Sequence, residues 1–174
     1  MLRNEVTLCD MFENEIGVCS KEEAHREGKL HRAFSVFLIN GNKVMIQKRA
    51  KTKYHTPSLW TNSCCSHTRK GENVVESAEK RCYEELGINV KLKKIFDFVY
   101  YYKFREDLIE YEYDNVLIGN YNGEFNLDKE EAEDYKWVEI NDLLNMVVNE
   151  PSKFTPWFII CLPKIAKYIN NENK

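Results

Sequence analysis

The chain has 174 residues, 43% hydrophobic and 30% charged, which suits a soluble globular domain with a real core. Its 25 Lys and Arg against 28 Asp and Glu leave a formal charge of −3, which argues against a general nucleic-acid binder. No apolar run approaches the roughly 18–20 residues that cross a bilayer, and the six cysteines, with no apolar export signal at the N-terminus, read as reduced thiols of a cytoplasmic protein.

Turn signals divide the chain into short elements. Residues 4–10 and 16–19 read as strands around a polar turn at 13–15. Ser20 with Glu23 makes a capping box for a brief helix. Residues 31–39 and 43–49 flank Asn40-Gly41, a hairpin signal. A basic loop with Pro57 follows, then the short segment NSCCSH. Val74, Val75, Ala78, Cys82 and Leu86 recur at helical steps, so 73–86 is expected to be a helix, closed by Gly87. The aromatic and β-branched runs 90–104 and 110–121 read as paired strands, and Asn122-Gly123 as the turn of a further hairpin. A strand is expected at 135–140 and a helix at 141–148 capped by Asn141. A last helix is expected from Pro156 to about Tyr168. The whole, residues 1–174, reads as a single α+β domain with a mixed sheet.

Several residues carry potential chemistry. Glu84 and Glu85 lie at the C-terminal end of their helix, where the dipole disfavours negative charge. A divalent cation would offset that, and Mg²⁺ commonly brings phosphate with it. Of the four histidines, His25, His31, His55 and His67, three flank the strongest strand–loop features; three imidazoles with Glu110 and Glu112, on one face of a strand, would suit Zn²⁺ or Mn²⁺. Cys65 and His67 share a face if their segment is extended, which turns Cys64 the other way. His55 reads as a solvated loop residue, and the acidic run 128–134 as an exposed face.

The segment KRCYEELGI resembles the Nudix signature in degenerate form. Lys80 and Arg81 stand where that signature has Arg-Glu, so one acid is absent, and Ser66 stands where it usually opens with Gly. More of the chain resembles the type I isopentenyl-diphosphate isomerases: AHREGKLHRAFSVFLIN, WTNSCCSH, Gly71-Glu72, RCYEELG, EYE at 110–112 and TPW at 155–157, in order across about residues 20–160. The resemblance implies a Nudix fold, an α/β/α sandwich, and interconversion of isopentenyl and dimethylallyl diphosphate.

It further implies Cys65 and Glu112 as the acid–base pair, Tyr100 as the active-site tyrosine and Trp157 as the active-site tryptophan. The family's metal site would be His25, His31, His67, Glu110 and Glu112, holding Mn²⁺, Zn²⁺ or Mg²⁺. Glu85, with the backbone carbonyl of Cys65, would hold a second ion, Mg²⁺, against the diphosphate. Lys21, Arg49, Lys53 and Arg81 match basic residues around the phosphates. The expected partner is a small isoprenoid diphosphate, with no nucleic acid and no membrane insertion, and the protein is expected to be a monomer or weak homodimer. The basic N-terminal region and loop 50–57 are expected to close over the diphosphate. Two positions depart from the family: the His25–His31 interval is one residue shorter than in bacterial members, and Thr68 replaces a proline. The alternatives are a Nudix diphosphohydrolase, which expects more acids on the helix and gives Cys65 no role, and a non-catalytic Nudix-like binding module, which expects a broken site.

Overall fold

The computed structural model describes residues 4–172. Strands β1 (Glu5–Cys9) and β2 (Glu15–Ser20) pair antiparallel and lead into α1 (Lys21–Glu27). Ser20 caps α1 by accepting the Glu23 N–H at 3.1 Å, and Gly28, at φ +64°, ends it in the left-handed region that glycine enters without a Cβ penalty. Then come β3 (His31–Asn40) and β4 (Lys43–Arg49), joined by the expected hairpin. Beyond the basic loop the NSCCSH region supplies two short strands, β5 (Trp60–Thr61) and β6 (Cys64–His67).

Helix α2 (Val74–Leu86) follows the expected apolar periodicity and ends at Gly87; Asn73, read as its first residue, is instead its N-cap, accepting the Val75 and Glu76 N–H groups. Strands β7 (Lys93–Arg105) and β8 (Leu108–Asn120) pair antiparallel. Strand β9 (Ala132–Glu139), α3 (Ile140–Asn149), a 3-10 turn at Pro151–Lys153 and α4 (Pro156–Glu172) complete the chain. The nine strands form one mixed sheet, in which β8 lies parallel to β3 and β6 lies antiparallel to it.

Alternation along β3 divides the core. Phe34, Val36 and Leu38 pack with Cys64, Cys82 and Leu86 beneath α2. Phe37 and Ile39 pack with Leu143, Trp157, Phe158 and Ile165 beneath α3 and α4. Successive residues of a strand face opposite sides, so helices cover both faces and the architecture is the expected α/β/α sandwich.

Three local expectations need correction. Asn122-Gly123 does not turn a hairpin: β9 pairs with β4 instead. The loop between β8 and β9 spends its backbone on α2, with Asn126 N–H donating to Leu86 O at 2.9 Å and Asp128 N–H to Glu85 O at 2.8 Å, satisfying carbonyls that a helix end leaves open. Helix α3 begins at Ile140, and its N-cap is Glu139 rather than Asn141. Helix α4 continues past Tyr168 because Ile169 prolongs its buried stripe of Phe158, Cys161, Leu162, Ile165 and Ala166.

Candidate active site and metal group

Four strands converge on one side of the sheet. In the register His31 pairs with Glu112, Ala33 with His67 and Ser35 with Cys65, while Tyr100 pairs with Glu112 and Tyr102 with Glu110. Residues in register project to the same side. His31, Cys65, His67, Tyr100, Glu110 and Glu112 therefore share a face, the one covered by α3 and α4. His25 joins them from α1, its ring centroid 5.1 Å from that of His31 and 5.6 Å from that of His67. Between His25 and His31 the chain leaves α1 through the left-handed turn at Gly28.

His25, His31, His67 and Glu112 each offer a ligand atom within 4.8 Å of the others. The Nδ1 of His31 lies 2.8 Å from the Lys29 carbonyl. A carbonyl only accepts, so this nitrogen carries the proton and Nε2 keeps its lone pair. The Nε2 atoms of His25 and His31 are buried and make no hydrogen bond among the described residues. His67 Nε2 stands 2.8 Å from Glu112 Oε1.

Burial, with the charges of His67 and His31, drives the pKa of His25 down to about 2, and burial drives that of His67 to about 4. Burial would raise Glu112, but the His31 and His67 imidazoles outweigh it and hold its carboxyl well below the usual range. Three imidazoles and one carboxylate fit a divalent transition metal, and the buried Nε2 atoms of His25 and of His31, the latter 3.5 Å from Glu112 Oε1, are atoms such an ion would satisfy.

Glu110 stands outside this group of four. Its Oε2 accepts the Tyr100 hydroxyl at 2.7 Å, and the same hydroxyl lies 2.9 Å from Glu112 Oε2. Burial, then the charge of Glu112, raises the pKa of Glu110. Cys65 is half-buried on the site side, and burial pushes its thiol up to about 12. Cys64 is fully buried on the α2 side, turned away from Cys65 as the alternation requires. All six cysteines are free thiols.

Trp157 opens α4 and is buried. Its indole N–H donates to Asn62 Oδ1 at 3.0 Å, while the Asn62 amide donates to Cys64 O at 2.7 Å. The Arg49 guanidinium lies 5.5 Å from the Trp157 ring centroid.

The basic residues gather at two places. Lys21 lies near Arg49, Glu112 and Cys65, and burial lowers its pKa. In the second group Arg81 pairs with Glu85, with Glu84 at 2.8 Å and with Glu131 at 3.5 Å, and Glu131 also pairs with Lys53 and feels the charge of Lys21. Glu85 is buried at the end of α2, and burial raises its pKa. Of the segments expected to close over a diphosphate, loop 50–57 carries Tyr54 and His55, which contact His25 and Glu110; residues 1–3 fall outside the described residues.

Two sequence readings are overturned. His55 is not solvated: it is buried, its Nε2 is 3.2 Å from Glu110 Oε1, and its ring stacks on Phe104 at 5.3 Å. Glu131, in the acidic run read as an exposed face, is the shared partner of Lys53 and Arg81. Tyr54, whose hydroxyl lies 2.6 Å from His25 Nδ1, and Asn62, which holds Trp157, were not singled out. Only the proximity of Asn62 to Cys65 in WTNSCC pointed to it; Tyr54 left no signal beyond its place in the basic loop.

The arrangement of helices on both faces of a mixed sheet defines the class. Residues 29–158 match the NUDIX domain model. Among solved structures, DR0079 from Deinococcus radiodurans superposes with a TM-score of 0.76 at 16% identity, covering 92% of this chain and 98% of its own. The MutT protein of Methanosarcina mazei Go1 superposes with a TM-score of 0.64 at 16% identity, covering 83% and 96%. An isopentenyl-diphosphate Delta-isomerase 2 of Aromatoleum aromaticum is 41% identical over 165 residues, 94% of this chain and 87% of its own. A protein of the same name from Photorhabdus laumondii is 44% identical over 154 residues, 88% and 87%. The chain belongs to the isopentenyl-diphosphate Delta-isomerase family of Nudix-domain proteins.

Proposed function

We propose that the chain, acting as one domain, interconverts isopentenyl and dimethylallyl diphosphate by moving a proton between the two ends of an allylic unit. The observation that carries this reading is the convergence of Cys65, Tyr100, Glu112, His31 and His67 on one sheet face, with His25 joining them from α1.

The reaction adds a proton to the terminal alkene carbon and removes one from the carbon on the far side of the tertiary centre. No atom is lost from the diphosphate. Cys65 and Glu112 are the pair that gives and takes these protons. In the resting site the thiol holds its proton, because burial raises it, and Glu112 is ionised, because two imidazoles face it. Tyr100 keeps Glu110 and Glu112 in place through one hydroxyl. The Trp157 ring, fixed by Asn62, stabilises the developing tertiary cation without offering a nucleophile that would trap it. Such a contact is worth about 0.5–2 kcal/mol, more when dry.

His25, His31, His67 and Glu112 would hold a divalent ion, with Glu110 beside it, and its fixed positive charge would favour the ionised carboxylate. Glu85 and the Cys65 carbonyl would hold the Mg²⁺ that accompanies the diphosphate, and Lys21, Arg49, Lys53 and Arg81 would bind its oxygens. Arg81 occupies the place of an acid in the Nudix signature, which favours anion binding over the multi-metal chemistry of the hydrolases. This reading places the enzyme in isoprenoid supply in the cytoplasm. Among the described residues no helix is long and apolar enough to cross a membrane.

The test is direct. Purified protein with Mg²⁺ and Mn²⁺ or Zn²⁺ should convert isopentenyl diphosphate to dimethylallyl diphosphate with no phosphate released. Phosphate or pyrophosphate release from nucleotide substrates without isomerisation would overturn the reading. Cys65→Ala should lower kcat by about 10²–10⁴-fold, the usual contribution of a positioned acid or base, while Cys64→Ala stays within a few-fold. Equal losses would reverse the choice of thiol.

A further inference from the structure

Tyr54 lies in loop 50–59, outside every motif that carries the family resemblance. Its ring stacks on His25 at a centroid distance of 6.0 Å and meets His55 edge-on at 4.4 Å. Lys21 Nζ lies 5.4 Å from its centroid. These contacts hold the ring while its hydroxyl oxygen sits 2.6 Å from His25 Nδ1.

The neighbouring imidazole of His31 shows what a partner at Nδ1 does. His31 is fixed by the backbone: the Lys29 carbonyl at 2.8 Å takes Nδ1–H and leaves Nε2 with its lone pair. Among the described residues the His25 ring makes no hydrogen bond to the backbone. Its Nε2 is buried with no hydrogen bond among the described residues, and its ring belongs to the group of four. An imidazole binds a metal through an unprotonated nitrogen, and the partner of the other nitrogen selects the tautomer.

We propose that Tyr54 is a positioning residue for the metal group: its phenolic oxygen accepts the Nδ1–H of His25, so that His25 presents Nε2 as a lone-pair donor beside His31, His67 and Glu112. Tyr54 thereby does for His25 what the Lys29 carbonyl does for His31. The inference rests on the metal reading of these four residues, but not on the isomerase chemistry.

The experiment uses Tyr54→Phe, which keeps the ring and its packing and removes only the oxygen. Metal affinity is measured by chelator competition with Mn²⁺ and with Zn²⁺, and the His25 tautomer by ¹⁵N shifts of the ring nitrogens in metal-free protein. Wild type should show His25 as the Nδ1–H tautomer. The variant should show a mixture and bind both metals about 10–100-fold more weakly, the range for losing such a partner, with the thermal midpoint of the metal-free protein unchanged. Equal affinities in variant and wild type would overturn the role of Tyr54 and leave the metal reading standing. So would an Nε2–H tautomer in wild type, or lost affinity with an unchanged tautomer. Wild type that binds neither metal would overturn both.

Discussion

His55 Nε2 and Glu110 Oε1 stand 3.2 Å apart where burial drives both groups towards neutrality. Burial lowers His55 from 6.5 to about 2 and, with the charge of Glu112, raises Glu110. The native imidazole therefore binds a proton less tightly than the unfolded chain does. Its contribution to stability is complete above pH 6.5 and is lost as pH falls below that value. His55→Phe should remove this share. In urea titrations of metal-free protein, the stability lost between pH 6.5 and 5.5 should be about 1 kcal/mol smaller in the variant. An unchanged loss would mean that His55 is already protonated in the native state. The sequence could not show this burial, because a histidine in a Lys-rich loop looks solvated until the fold lays Phe104 and Trp157 beside it. The pairing of Glu131 with Lys53, 78 residues away, was hidden for the same reason.

Helix α2 and the loop that follows β8 act as one unit. The loop hangs from the last carbonyls of α2, and Gly87 allows it to pass. With φ at +69°, a Cβ there would lie 2.9 Å from Asn126 Cβ. Gly87→Ala should cost about 1–2 kcal/mol from the left-handed backbone alone. It should also displace the loop that carries Glu131, the partner of Lys53 and Arg81. We expect a lower urea midpoint and a KM for diphosphate substrate that rises more than kcat falls; unchanged KM would separate the loop from the phosphate side. At this scale local signals were informative where the partner lay close in sequence. The Ser20 cap, Gly87 and the Asn40-Gly41 hairpin all stand where their residue types required. The same turn chemistry at Asn122-Gly123 misled, because strand pairing was decided by the open edge of β4, far away in the chain.

For the molecule as a whole, the sheet register brings His31, His67 and Glu112 together and α1 adds His25. A ligand that binds only the native state raises stability by mass action. Mn²⁺ or Zn²⁺ at a hundred times its dissociation constant should add about 2.7 kcal/mol, which for a domain of this size raises the thermal midpoint by about 5–10 °C. His67→Ala should abolish most of that rise, and an undiminished rise would put the binding site elsewhere. The identities of the site residues were legible because the motifs carrying Cys65, His67, Glu110 and Glu112 each sit on a single strand. Their convergence was not, since it depends on β6 and β8 lying on either side of β3.

The parity of β3 has one more consequence. Its odd-numbered residues serve the site side and its even-numbered residues the core under α2. A slip of one residue would thrust Phe34 and Val36 among the histidines and turn His31 into the apolar layer. Misassembly of the chemistry is thus also misassembly of the core, and the folding free energy proofreads the active site. Selection for a protein that merely folds protects this part of the catalytic register at no separate cost, whereas Tyr54 and His55, carried on a loop, have no such guard.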